Sequence, residues 1–161
     1  DGQRFGFTAK IITGKRSDIY GELMAFIMKQ RSQKENFTII PPEVEDARGT
    51  ASGIPHGTAS AGATSITLGG TGTGTLLSGD YIKFANHDKV YMVVADQSDI
   101  STGSLTIEPP LTTAVSSSNI TFDNVPFTVH LTNDVQEFGT VGADNNGNLL
   151  YQYEIDVEEA L

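Results

Sequence analysis

Three features of the sequence predict a mainly β (α+β) chain. Short β-rich runs are separated by Gly, Pro and Asn turn signals, one amphipathic helix lies near the start, and the composition shifts sharply in the middle. The predicted architecture is a β-sandwich-like core with one amphipathic helix and an inserted small antiparallel β-barrel or sandwich module. Residues 1–50 plus 120–161 form the discontinuous core domain, and residues 51–119 form the inserted Gly/Thr-rich module. A chain of 161 residues is long enough for both.

The first strand is Arg4–Ile12, with Phe5, Phe7 and Ala9 on one side. Gly14 breaks it, and Ser17 or Asp18 supplies a helix cap. Ile19, Leu23, Phe26 and Ile27 recur at helical spacing, which predicts a helix over Asp18–Arg31 with Met24 and Met28 widening its apolar stripe. On this reading Phe26 is a core residue, and Phe26→Ala costs on the order of 3–5 kcal/mol. Asn36–Ile40 is a short strand stopped by Pro41-Pro42, and residues 43–63 are a loop. Residues 51–120 carry nine of the seventeen glycines, and strands are expected at Thr64–Leu68, Tyr81–Ala85, Val90–Ala95, Leu105–Glu108 and, where the core resumes, Ile120–Phe122. Beyond Pro126 follow a strand at Phe127–Leu131, a loop at Asn133–Gly147 and a last strand at Leu149–Val157. That last strand sets Leu149, Tyr151, Tyr153, Ile155 and Val157 on one face and Gln152, Glu154 and Asp156 on the other.

The net charge of −10 is polarised along the chain. Residues 1–50 hold eight bases and seven acids, whereas residues 51–161 hold only Lys83 and Lys89 against thirteen acids. Such a surface repels phosphate backbones, which disfavours nucleic-acid binding and leaves only the basic cluster Lys10, Lys15, Arg16, Lys29, Arg31 and Lys34 to argue for it. With no Cys there is no disulfide, thiolate nucleophile or Cys zinc site. Neither a membrane span nor a secretory leader is expected, because no stretch approaches eighteen consecutive apolar residues and the start lacks a charged-then-apolar pattern.

No catalytic, metal or cofactor residue is expected, and the chain reads as a non-enzyme. Gly69-Gly70-Thr71-Gly72-Thr73-Gly74 has the composition of a phosphate loop but neither glycine-motif spacing, so it reads as a hairpin connection. Asp144-Asn145-Asn146-Gly147-Asn148 resembles a calcium loop, yet its Gly comes too early and the closing Glu is missing, so it reads as a turn. His56, His87 and His130 share no ligand spacing.

Arg4–Ile12 (RFGFTAKII), the helix with Leu23-Met24-Ala25-Phe26-Ile27, Asn36–Pro42 (NFTIIPP) and the closing Leu150–Leu161 (LYQYEIDVEEAL) follow one another in a recognisable order. This order resembles the minor tail protein M and distal tail protein (Dit) group of long-tailed phages. The middle, with GDYIKF at Gly79–Phe84, KVYMVVAD at Lys89–Asp96 and LTIEPPL at Leu105–Leu111, is similar in style to β inserts of phage structural proteins. The resemblance implies a homo-oligomeric ring, six-fold or three-fold, that joins the tail tube to the tip or baseplate hub. Its partners would be further copies of itself, the tube protein and the tip or hub proteins. DNA would pass through its channel without specific binding. Its location would be the virion, after assembly in the host cytoplasm.

Two residue sets are expected to serve such a ring. Short strands bounded by Pro leave ladder groups for a neighbour, which nominates Phe37, Ile39, Pro41, Pro42, Val125, Phe127 and Val129 for the joint. Glu154, Asp156, Glu158 and Glu159 would either line the channel or pair with Lys29, Arg31 and Lys34 of an adjacent subunit. The alternative class is a carbohydrate-binding or adhesin-like β module, with Tyr81, Phe84 and Tyr91 as sugar-stacking candidates, although core packing is the favoured role of Phe84 and Tyr91.

Overall fold

The computed structural model describes residues 3–13, 17, 20–42, 44–133 and 139–160. The chain is mainly β, with one helix, a closed six-stranded antiparallel barrel and a separate sheet. It divides into two compact units, one built on Thr38–Thr128 and the other on Arg4–Phe37 with Val129–Ala160.

In the barrel unit, β3 (Pro55–Ala59), β4 (Ser65–Gly70), β5 (Tyr81–Phe84), β6 (Val90–Val93), β7 (Ser104–Glu108) and β8 (Val115–Thr121) close in the order β3-β4-β7-β6-β5-β8. Closure decides between barrel and sandwich, and it leaves these six strands without a free edge. Alternation sends Ile66, Ile82, Phe84, Leu105 and Ile107 inward, all fully buried, and Tyr91 joins them. Each such side chain contributes about 1.5–3 kcal/mol by leaving water.

Strand β3 falls in the segment expected to be a loop. Its sequence PHGTA has no β-branched or aromatic run, because Gly57 lies beneath Phe84 and Ile66, where no side chain fits. The Gly69–Gly74 run also has a structural use. Ser52 and Thr73 exchange backbone hydrogen bonds of 2.9 Å in both directions, and the Thr50 and Thr75 hydroxyls lie 3.3 Å apart. A Cβ on Gly74, whose φ is +87°, would run into the Thr50 carbonyl. The glycines therefore let two backbones close tightly, and the run is not the hairpin connection expected: Gly69 and Gly70 end β4, and Thr73 pairs with Ser52 ahead of β3.

The separate sheet contains β1 (Gly6–Thr13), β2 (Phe37–Ile39), β9 (Phe127–Leu131), β10 (Gly139–Ala143) and β11 (Leu149–Glu159), in the order β1-β11-β9-β2 with β10 also on β11. The unit boundary falls within β2 and β9. Helix α1 (Gly21–Lys29) is shorter than expected; Asp18 and Ile19 lie outside the described residues. Leu, Met and Ala favour it, with Glu22 and Lys29 complementing its dipole. It stops where Arg31 adopts a left-handed φ of 50°. The helix buries Ile27, and just before it Tyr20 stacks on Tyr151 at 4.5 Å. Phe26 is 41% exposed and Met28 62%, so neither is the core residue expected from helical spacing. Among the described residues no helix is long and apolar enough to cross a membrane.

Candidate functional site

The acidic end of the chain is β11, and its register against β1 decides what its charges meet. Gly6 pairs with Glu158, Thr8 with Asp156 and Lys10 with Glu154. The Arg4 guanidinium donates to Glu158 Oε1 at 2.7 Å. Thr8 Oγ1 donates to Asp156 Oδ1 at 2.6 Å, and Asn133 Nδ2 to its other oxygen at 3.1 Å. Three of the four acids nominated for a channel or a neighbouring subunit thus sit opposite β1 groups that donate to them or oppose their charge. The exposed Arg4–Glu158 pair is worth about 0–1 kcal/mol, which offsets part of the strip's charge and is too little to hold the fold.

Glu159 belongs elsewhere. Side chains alternate along a strand, so Glu159 shares its face with Tyr153 and Val157 and is fully buried. Its Oε2 accepts from the Phe5 amide at 3.3 Å, and its own amide donates to the Phe5 carbonyl at 2.8 Å. A side chain in that position holds β1 to the end of β11 and is closed to a channel.

The seven residues nominated for a joint divide in two. Val125, Phe127 and Val129 are fully buried within their own chain, so their side chains are unavailable to a neighbour. Phe127 meets Tyr81 edge-on at 5.5 Å. Phe37, Ile39 and Pro41 are half-buried and Pro42 is exposed. Phe37 packs edge-on against Phe26 at 5.3 Å. Those two rings, with Lys29, Gln30, Arg31, Glu35 and Asn36, line an open hollow of about 550 Å³.

On the barrel, the polar chemistry gathers around Asp80 with Arg48, which the sequence did not single out, and around His87 with Tyr91. Asp80, almost wholly buried, accepts from the Leu77 amide at 2.7 Å, the Arg48 amide at 3.0 Å and Arg48 Nε at 3.3 Å. Arg48 also donates to the Ser78 carbonyl, so it clasps the Ser78-Gly79-Asp80 turn. The Gly-Asp pair before a strand was the available signal. Beyond the other end of β5, His87 bonds Asn86 Oδ1 through Nδ1 at 2.9 Å and the Tyr91 hydroxyl through Nε2 at 2.8 Å. Tyr91 in turn accepts from the Thr112 amide at 3.1 Å. Burial holds the His87 imidazole below its ordinary range, Asp88 opposing and Lys83 assisting. A hydrogen bond from Lys83, at 2.9 Å, is the main reason the Asp88 carboxyl lies below the usual carboxylate range. Two open depressions of about 420 and 460 Å³ share Ala85 and Asn86. With their polar atoms paired to one another, His87, Asn86 and Tyr91 brace the barrel end.

His56 lies in β3, His87 follows β5 and His130 lies in β9. Among the described residues no three His, Asp or Glu side chains converge on a point where a metal could sit. Asp144 Oδ1 accepts from the Asn146 and Asn148 amides at 2.8 and 2.9 Å, which is turn geometry. The class these observations define is a mainly β chain pairing a closed barrel with an open, helix-bearing sheet. Comparison with protein-family models gives no match, and comparison with curated proteins gives no relative.

Proposed function

We propose that this chain is a structural component of a phage tail: a subunit of a distal-tail or tail-tip ring that joins the tail tube to the tip or baseplate hub. The ring leaves a central channel for DNA. The observation that carries the reading is the contrast between the two β assemblies. The barrel closes on itself, whereas the separate sheet ends in β1 and β2, whose outer sides meet no strand among the described residues, and β10 pairs with β11 alone. An open edge is a liability in a monomer and a joint in a ring. The order of strand, helix, NFTIIPP strand and acidic last strand, similar to that of minor tail protein M and distal tail proteins, supports the same reading. Partners are further copies in six-fold or three-fold array, the tube protein and the hub proteins. DNA passes without specific binding, and the protein resides in the virion after assembly in the host cytoplasm.

The glycan-binding alternative is less well supported, because Phe84 and Tyr91 are fully buried in the barrel and Tyr81 is half-buried against Phe127. Sizing in solution at high protein concentration, followed by negative-stain imaging, tests the proposal. Rings with a central hole are expected, and a strictly monomeric species overturns it.

A further inference from the structure

We propose that His87 is a proton-operated latch on the loop of residues 112–114, which it holds against the barrel end when neutral and releases when protonated. This goes beyond the ring reading and does not depend on it. The loop joins β7 to β8 between two anchors. Leu111 and Val115 are buried on either side of it, and the Leu111 amide donates to the Ala63 carbonyl at 2.9 Å while its carbonyl accepts from Gly62 at 2.7 Å. Thr112, Thr113 and Ala114 themselves are exposed. Among the described residues their polar attachments run to two side chains. The Thr112 amide donates to the Tyr91 hydroxyl at 3.1 Å, with the two hydroxyls also 3.1 Å apart, and Asn86 Nδ2 donates to the Ala114 carbonyl at 2.9 Å. His87 bonds both of those side chains.

The hydrogen bonds fix where the protons of the latch sit. Asn86 has its amide nitrogen on Ala114 and accepts from Ser118 Oγ on its oxygen at 3.1 Å, so His87 Nδ1 carries the hydrogen that meets that oxygen. In a neutral imidazole Nε2 is then the acceptor, and the Tyr91 hydroxyl gives it its one hydrogen. The two lone pairs of Tyr91 are left for the amide and hydroxyl of Thr112. A proton on Nε2 turns that nitrogen into a third donor facing two lone pairs. Tyr91 is fully buried and His87 stacks on Phe84 with centroids 5.9 Å apart, so the exposed Thr112 is the partner that gives way. The charged groups facing His87 are Lys83 of β5 and Asp88 of its own turn, which pair with each other at 2.9 Å. β6 brings the Tyr91 hydroxyl, and β8 and the loop bring the uncharged Ser118, Thr112 and Ala114. A half-buried imidazolium there has no carboxylate to itself, so burial disfavours it in the closed state and acid favours the open one.

Amide hydrogen exchange followed by NMR across a pH series, each rate corrected for its intrinsic value, tests the latch in the full chain. Protection of the Thr112 amide should fall by up to about tenfold per pH unit below about 6.5, the slope of one linked proton. The Val93 amide, which donates to the Asp80 carbonyl at 2.8 Å, should stay at least about tenfold more protected at every pH, which marks the opening as local. His87→Gln keeps a donor and an acceptor without titrating and should abolish the pH dependence at Thr112. Tyr91→Phe removes the acceptor of the Thr112 amide and should lower its protection at every pH, while the His87 ring still titrates. Thr112 protection that stays level through the whole titration of His87 overturns the inference, because the network then absorbs the proton by turning its hydroxyls. So does a Thr112 amide that exchanges in step with Val93, or one whose pH dependence survives in His87→Gln.

Discussion

Gly57→Ala isolates a single steric contact in the barrel. Gly57 lies in β3 outside the positive-φ set, so alanine adopts its backbone without strain. On backbone grounds alone the substitution stabilises by about 0.4–1 kcal/mol, because alanine loses less freedom on folding. The new Cβ, however, would stand 2.7 Å from Ile66 Cγ2 and 2.7 Å from Phe84 Cε1, inside van der Waals contact on both sides. Both neighbours are fully buried, with Phe84 also packed edge-on against Tyr91 at 5.8 Å, so neither moves freely. Overpacking of this kind costs about 1–3 kcal/mol and outweighs the backbone gain, for a net loss of about 1–2 kcal/mol. Phe84→Leu removes the clashing ring edge and alone costs less than the roughly 3–5 kcal/mol of full truncation. The double variant should be more stable than the sum of the two losses by at least about 0.5 kcal/mol. Urea denaturation gives the free energies, and hydrogen exchange at the Ile82–Phe84 amides reports on the barrel alone. A neutral or stabilising Gly57→Ala, or strict additivity with Phe84→Leu, would refute the contact.

Three further outcomes are expected. Ile27→Ala should cost about 2–4 kcal/mol and Phe26→Ala only about 1, because Ile27 is buried and Phe26 is 41% open; the reverse order in chemical denaturation would mean the helix docks the other way round. Asp80→Ala should destabilise the barrel by about 2–4 kcal/mol, since the Leu77 and Arg48 amides lose their acceptor, while Arg48→Ala costs about 1 or less; equal losses would reject the turn clasp. His87 gives a pH signature: its folded pKa is depressed by burial, so between the two values the unfolded chain holds a proton that the folded chain refuses. Its contribution is complete above the ordinary imidazole value of about 6.5 and is lost as pH falls from there toward the folded pKa. Asp88 acts in a lower window, stabilising above about 3.9 and losing that effect as pH falls through its depressed value. An imidazole titration of His87 with a midpoint at or above the ordinary value would reject the assignment.

The barrel strands were legible where they carry β-branched and aromatic residues in alternation. β4 to β7 lie close to the predicted runs, because Ile66, Leu68, Ile82, Phe84, Leu105 and Ile107 mark an inward face at period two. β3 and β10 were hidden for opposite reasons. β3 faces a crowded interior and needs Gly57, so the packing that makes it a strand also removes its hydrophobic signal. β10, with sequence GTVGA, has no inward face and hence no alternation to read. The helix showed the limit of periodicity in another way. Phe26 and Ile27 both fit the apolar stripe, yet only a partner surface decides which is covered, and that information is tertiary.

The charges near the C-terminus show why a count along the chain misjudges a surface. Eight acids without a base after residue 119 suggest a uniformly negative wall. In a sheet the neighbours of a residue come from another strand, and Arg4 just before β1, with Thr8 and Lys10 within it, meets the face where β11 carries Glu158, Asp156 and Glu154. The alternation of Phe5, Phe7 and Ala9 already placed those polar β1 residues on a common face; the missing step was the antiparallel pairing of the first strand with the last. Parity also separates Glu159 from Glu158, which adjacency in sequence had joined, and sends it among Tyr153 and Val157. A channel lined by the polar face of β11 would therefore present alternating charge. A passing polyanion would meet Arg4 and Lys10 as well as carboxylates, with Arg4 paired to Glu158 and Lys10 opposite Glu154 in register. Such a strip leaves few cations free to exchange counterions with phosphate, so in the proposed ring DNA would slide by neutrality rather than by repulsion.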